Sequence, residues 1–253
     1  MRRLLLPLLL ALSAPCSAFN LDDLKSKLDE LKQPPSQSSS TAEASGLDRF
    51  STQDQITGLK QALSQGAENA VRELARQNGY LGNDNVRIPL PENLQKADRT
   101  LRKIGLGKYP DNLITAMNRA AEAAVPEAKA LFINAVKNMT VNDAKDILLG
   151  KDDAATQYFR RSTEDALGDK FKPIVARSMQ QVSLAQAYDR FAGKGARLGL
   201  VEERDAHLDD YITRKALDGL FLMMADQDRL IRADPLKASG DLARKVFAVL
   251  RGQ

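Results

Sequence analysis

Three short segments place polar side chains where a helix would bring them together amid apolar surroundings. The first is Met117-Asn118-Arg119-Ala120-Ala121-Glu122. Asn118 and Glu122 are four apart and Arg119 and Glu122 three apart, so an amide, a guanidinium and a carboxylate share one helical face. Such a set could hold a polar ligand or join neighbouring helices in a hydrogen-bond network. The second is Asp152-Asp153-Ala154-Ala155-Thr156-Gln157-Tyr158-Phe159-Arg160-Arg161. Asp152, Thr156 and Arg160 form one row, and Asp153, Gln157 and Arg161 the next. The acids lie at the helix start and the arginines further on, as the helix dipole favours. Arg160 and Arg161 could bind a carboxylate or another anion; a charge-paired surface is the plain alternative. The third joins Asp210, Arg214, Lys215 and Asp218 at spacings of three to five beside a strongly apolar stretch. Lys215 and Asp218 must be paired if they face inward. Arg87, in a proline-rich segment, and Tyr158 complete the candidate binding residues.

Much familiar chemistry is missing. His207 is the single histidine, so paired-histidine zinc sites and Glu-x-x-His di-iron sites cannot form. It stands at the charged start of a helix, where a solvated residue is the simpler reading than a general base. Cys16 is the single cysteine. There is no Gly-x-Ser-x-Gly elbow, and neither Gly107-Lys108 nor Gly150-Lys151 has the surroundings of a phosphate-binding loop. No catalytic residue, metal ligand or cofactor is therefore assigned.

The elements that must position these groups are helices. Arg2 and Arg3, an apolar run from Leu4 to Leu12, and Cys16-Ser17-Ala18 read as a secretory signal peptide spanning residues 1–18. The run is too short to span a bilayer, and Pro15 argues against a lipoprotein attached through Cys16. Cleavage after Ala18 removes Arg2, Arg3 and Cys16 and lowers the formal net charge from +4 to +2. The mature chain then has no thiol for disulfides or catalysis, no large positive excess for nucleic acid, and no transmembrane segment. An exported, periplasmic location is expected.

Residues 19–33 carry a short amphipathic helix, stopped by Pro34 and Pro35. Residues 34–50 form a flexible linker rich in small polar residues, and 51–253 a single all-helical domain. Apolar residues recur there at helical spacing from Ile56 to Leu74 and from Leu113 to Met139, where Pro126 kinks or splits the stretch. Thr140 and Asp143 form a capping box. A helix over 152–167 ends at Gly168, and Lys172-Pro173 starts the next. Residues 183–197 look helical, and 205–231 form one long helix. Its middle, 216–225, is apolar nearly all round and calls for burial on several sides. Val86-Arg87-Ile88 comes nearest to a strand, and Pro89 limits it. The expected fold is all-α, a compact bundle of about eight to ten helices without significant sheet, with a core of aliphatic residues because Trp is absent.

Four segments, in order, carry a resemblance: Val86-Arg87-Ile88-Pro89-Leu90-Pro91, Met117 to Glu122, Asp153 to Arg160, and Lys215-Ala216-Leu217-Asp218-Gly219-Leu220. Together they resemble the bacterial family catalogued as domain of unknown function 4197, over about residues 58–247. The resemblance implies an exported protein of Gram-negative-type bacteria. It supplies no reaction, ligand or catalytic residue.

The leading expectation is a non-enzymatic binding or interaction module taking an acidic small molecule, a peptide or an envelope protein. Two alternatives stand beside it. One is an envelope hydrolase using Glu122, Asp152 and Asp153, which needs two carboxylates in a shared cleft. The other is a lipid carrier with a cavity lined by Phe221, Met223 and Met224.

Overall fold

The computed structural model describes residues 46–180, 182, 185 and 207–251. The segments expected to be a signal peptide and an N-terminal helix, nearly all of the expected linker and most of the helix expected over 183–197 lie outside the described residues. In chain order the α-helices are α1 (Thr52–Ala75), α2 (Glu92–Lys103), α3 (Lys108–Ala124), α4 (Ala128–Asn138), α5 (Val141–Leu149), α6 (Ala154–Met179), α7 (Leu208–Ala233) and α8 (Asp241–Arg251). Among the described residues there is no strand. The fold is all-α.

Each boundary has a local cause. Ser51 caps α1, its Oγ accepting from the Asp54 N–H at 3.1 Å. Pro126 splits the long apolar stretch: α3 ends at Ala124, a 3-10 turn covers Val125–Glu127, and α4 follows. At α5 the capping box is complete. The Thr140 side chain accepts from the Asp143 N–H at 3.1 Å, and Asp143 Oδ2 accepts from the Thr140 N–H at 3.0 Å. Those hydrogen bonds from Thr140, side chain first and backbone second, hold the Asp143 carboxyl below its ordinary range.

One expectation is corrected. Residues 154–179 form a single helix with Pro173 inside it, and neither Gly168 nor Pro173 interrupts it. Thr163, Leu167, Phe171, Val175 and Met179 are all buried and fall at every fourth position through both breakers. An interior proline costs about 3 kcal/mol, while burying each large apolar side chain contributes roughly 1.5–3 kcal/mol. The continuous buried row outweighs the proline.

The core is built on α7, which packs against α6, α1, α3 and α8. Its apolar middle is covered on several sides: Ala216, Leu217, Gly219, Leu220, Phe221 and Met224 are buried. Phe132 of α4 sits edge-on to Phe159 of α6 and Phe221 of α7, with ring centroids at 5.2 and 6.2 Å. Where α8 crosses α1 the helices approach so closely that a Cβ on Gly58 would stand 2.9 Å from the Leu242 carbonyl oxygen.

Candidate functional site

The segment between α1 and α2 is irregular backbone with a buried apolar side: Tyr80, Val86, Ile88 and Leu90 are all enclosed. Its polar groups need partners in the interior, and α3 and α7 supply them. Asn118 Oδ1 accepts from the Ile88 N–H at 2.8 Å, while Nδ2 donates to the Ile88 carbonyl at 3.0 Å and to the Ile114 carbonyl at 2.8 Å. The amide is thus consumed by the backbone. Glu122 Oε1 accepts from the N–H groups of Tyr80 and Leu81 at 3.1 and 3.2 Å, and its Oε2 from Arg119 at 2.5 Å. Arg119 also donates to Asn78 Oδ1 at 2.7 Å. The Tyr80 hydroxyl donates to the Ala216 carbonyl at 2.6 Å, and burial, with Glu122 adding to it, pushes its pKa far up. The Tyr211 hydroxyl closes the other end on the Pro89 carbonyl at 3.1 Å. The structure thus places the first polar cluster as a clamp on residues 78–90. Arg87, carried by the same segment, points away and is exposed.

The second cluster divides over three places. Asp152 and Asp153 are exposed ahead of α6. Thr156 lines a cavity of about 10 Å3 between α1, α6 and α7, together with Phe159, Met224 and Asp228. That is close to the room one water requires. The Thr156 hydroxyl has no protein partner there. Asp228 is only 7% exposed; burial raises its carboxyl pKa, against the pull of Arg232 at 2.8 Å. Arg160 turns toward α7. It pairs with Glu164 at 2.5 Å and Asp218 at 3.6 Å and stacks over the Phe221 ring at 4.5 Å. Arg161, the next residue, leaves the helix on another side. The two arginines therefore lie in different surroundings, because successive residues of an α-helix do not face each other.

The third cluster reaches outward to α6. Asp210 pairs with Lys172 at 2.6 Å, and its hydrogen bond raises the lysine pKa. Asp218 is exposed and pairs with Arg160, and Lys215 is half-buried. Arg214 lies over the Tyr211 ring at 5.7 Å. A charged cleft of about 240 Å3 runs between α6 and α7 here, past Asp169, Lys172 and Asp210.

Of the polar groups in the second cluster, Arg161 keeps its freedom to bind. It lines an open cleft of about 390 Å3 between α4, the start of α5 and α6, with Asn134, Asn138, Asp143, Tyr158 and Ser162. Among the described residues its guanidinium makes no hydrogen bond or ion pair, although its charge reaches Asp143 and Tyr158. Tyr158 donates its hydroxyl to the Ala135 carbonyl at 2.7 Å, and burial raises its pKa. Sequence reasoning missed Asn134 and Asn138. Their signal was two amides four apart on a helix that is otherwise largely apolar.

The carboxylates proposed for hydrolysis are not assembled: Glu122 is enclosed with both oxygens taken, and none of Glu122, Asp152 and Asp153 lines the clefts described. Among the described residues no group of three or more His, Cys, Asp and Glu side chains could hold a metal ion. No helix among them is long and apolar enough to cross a membrane.

No curated protein and no solved structure matches the chain. A family model described as "Protein of unknown function (DUF4197)" matches residues 49–248, spanning the clamp, the Arg161 cleft and the packing around α7. The chain belongs to the DUF4197 family.

Proposed function

We propose that this chain is an exported, periplasmic binding module without catalysis, and that it holds a small carboxylate-bearing ligand in the Arg161 cleft. The observation that carries this reading is Arg161 itself. It is a guanidinium without a protein partner among the described residues, in a cleft of a size that suits a small molecule. A carboxylate accepts the planar donor fork of arginine in pairs, and the amides of Asn134 and Asn138 offer further donors along the same wall. The other strong candidates already have structural partners: Asn118, Arg119 and Glu122 hold the 78–90 segment, and Arg160 pairs with Glu164 and Asp218. The enclosed position of Glu122 and the water-sized cavity beside Met224 favour this reading over a hydrolase or a lipid carrier. Export rests on the apolar leader and its small-residue cleavage site.

The test is a thermal-shift series with di- and tricarboxylates and acidic peptides. A ligand at 100 times its Kd adds about 2.7 kcal/mol to folding stability and raises Tm. Arg161→Gln should abolish that rise, and Arg87→Gln should leave it in place. If no carboxylate shifts Tm, or if Arg161→Gln responds like the parent, the assignment is wrong. Fractionation with sequencing of the mature N-terminus tests export: the chain should begin at Phe19.

A further inference from the structure

The turn between α2 and α3 carries a feature that the binding cleft does not explain. The helix α2 ends in a Schellman motif. The Gly105 N–H donates to the Arg102 carbonyl at 3.2 Å, the Leu106 N–H to the Leu101 carbonyl at 2.8 Å, and Gly105 adopts φ +78°. This turn presents three large apolar side chains to solvent within six residues: Ile104 at 64% exposure, Leu106 at 42% and Tyr109 at 59%. The remaining exposed large apolar side chains are scattered over α5, α7 and the 3-10 turn at Pro235–Lys237, as single exposed residues usually are. Helix α2 completely buries none of its described side chains and packs mainly on α3.

The charge around the tip is arranged with equal consistency. Asp98 and Asp111 are the nearest acids, and both are held by Arg102, at 2.7 and 2.5 Å. Lys103 and Lys108 stand on either side of Ile104 and Leu106, with Tyr109 next to Lys108, and both lysines are exposed without a described ion pair. The result is an apolar point beside two free ammonium groups, with the two neighbouring carboxylates drawn back onto the shared Arg102 guanidinium.

We propose that the tip formed by Ile104, Leu106 and Tyr109 docks on an anionic lipid bilayer surface. The apolar side chains enter the boundary between headgroups and acyl chains, and Lys103 and Lys108 stay at the level of the lipid phosphates. Amphipathic surfaces bind membranes in this way, through buried apolar area joined to attraction for anionic lipid, and lysine suits the boundary because its long stem lets the ammonium remain in water. A small contact of this kind is reversible. It would hold the module near a membrane while leaving the Arg161 cleft, on α4 to α6, free.

The absence of Trp from the chain makes the contact measurable. In the full chain, Leu106→Trp and, separately, Tyr109→Trp report the environment of the tip, and Leu236→Trp, at a position 80% exposed, serves as the control. Phosphatidylglycerol vesicles should shift both tip emissions to the blue and leave the control unchanged, and phosphatidylcholine vesicles should do neither. Changing Lys103 and Lys108 to Gln in the Leu106→Trp background should weaken vesicle binding roughly fivefold for each lysine. Unchanged tip emission with anionic vesicles overturns the proposal, as does an equal shift with neutral vesicles. A blue shift that grows with protein concentration in the absence of lipid also overturns it, by assigning the tip to a second copy of the chain.

Discussion

The Asn118 carboxamide binds the peptide groups of Ile88 as a neighbouring strand would, accepting from its N–H at 2.8 Å and donating to its carbonyl at 3.0 Å. Asn118 is fully buried, so no solvent can replace these bonds. In Asn118→Leu, a change of similar volume, both Ile88 groups lose their partner while staying enclosed. Each unpaired buried group costs about 1–3 kcal/mol, so the variant should lose about 2–6 kcal/mol. Urea unfolding measures this as a lower midpoint, and limited proteolysis should cut first within residues 76–91. A variant as stable as the parent would mean that this segment is not held through α3.

Two glycines in helices should respond to alanine in opposite directions. At Gly58 a Cβ would lie 2.9 Å from the Leu242 carbonyl oxygen and 3.0 Å from Val246 Cγ2. The backbone atom cannot swing aside, so α8 must shift. Overpacking of this type costs about 1–3 kcal/mol, more than the gain in helix propensity. At Gly168 a Cβ meets nothing within 4 Å, and alanine should gain about 1 kcal/mol. Calorimetry should show Tm falling for Gly58→Ala and rising for Gly168→Ala, by roughly 2–4 °C per kcal/mol for a domain of this size.

Asp228 makes stability depend on pH in an uncommon direction for a carboxylate. Burial raises its folded pKa, and Arg232 opposes this only in part. The folded state therefore keeps a proton that the unfolded chain releases. The sign follows from proton linkage: this group's contribution is full below its unfolded pKa of about 4 and is lost as pH rises through the folded value. Asp228→Asn removes that loss. Thermal unfolding between about pH 4 and pH 7 should therefore show a smaller decline with rising pH in Asp228→Asn than in the parent. The same slope in both would place the titrating group elsewhere.

Local physics decided much of this protein before any tertiary contact. The apolar stripe of α1, the split at Pro126 and the capping box of Thr140 and Asp143 each depend on residues within a few positions of one another. They were legible for that reason, and together they dictate an all-helical chain. Pro173 was misread because its local penalty is visible in sequence, whereas the buried row from Thr163 to Met179 that overrides it is measured only against α7 and α3. The candidate site divided in the same way. Asn118, Arg119 and Glu122 could be placed on one helical face, but only the folded chain shows that Ile88, Tyr80 and Leu81 occupy them. The adjacency of Arg160 and Arg161 gave no hint that one would stack on Phe221 and the other enter a cleft with Asn134 and Asn138. Helical periodicity orders side chains around an axis three or four residues at a time. Which neighbour fills each face is a contact between segments tens of residues apart, and packing alone decides it.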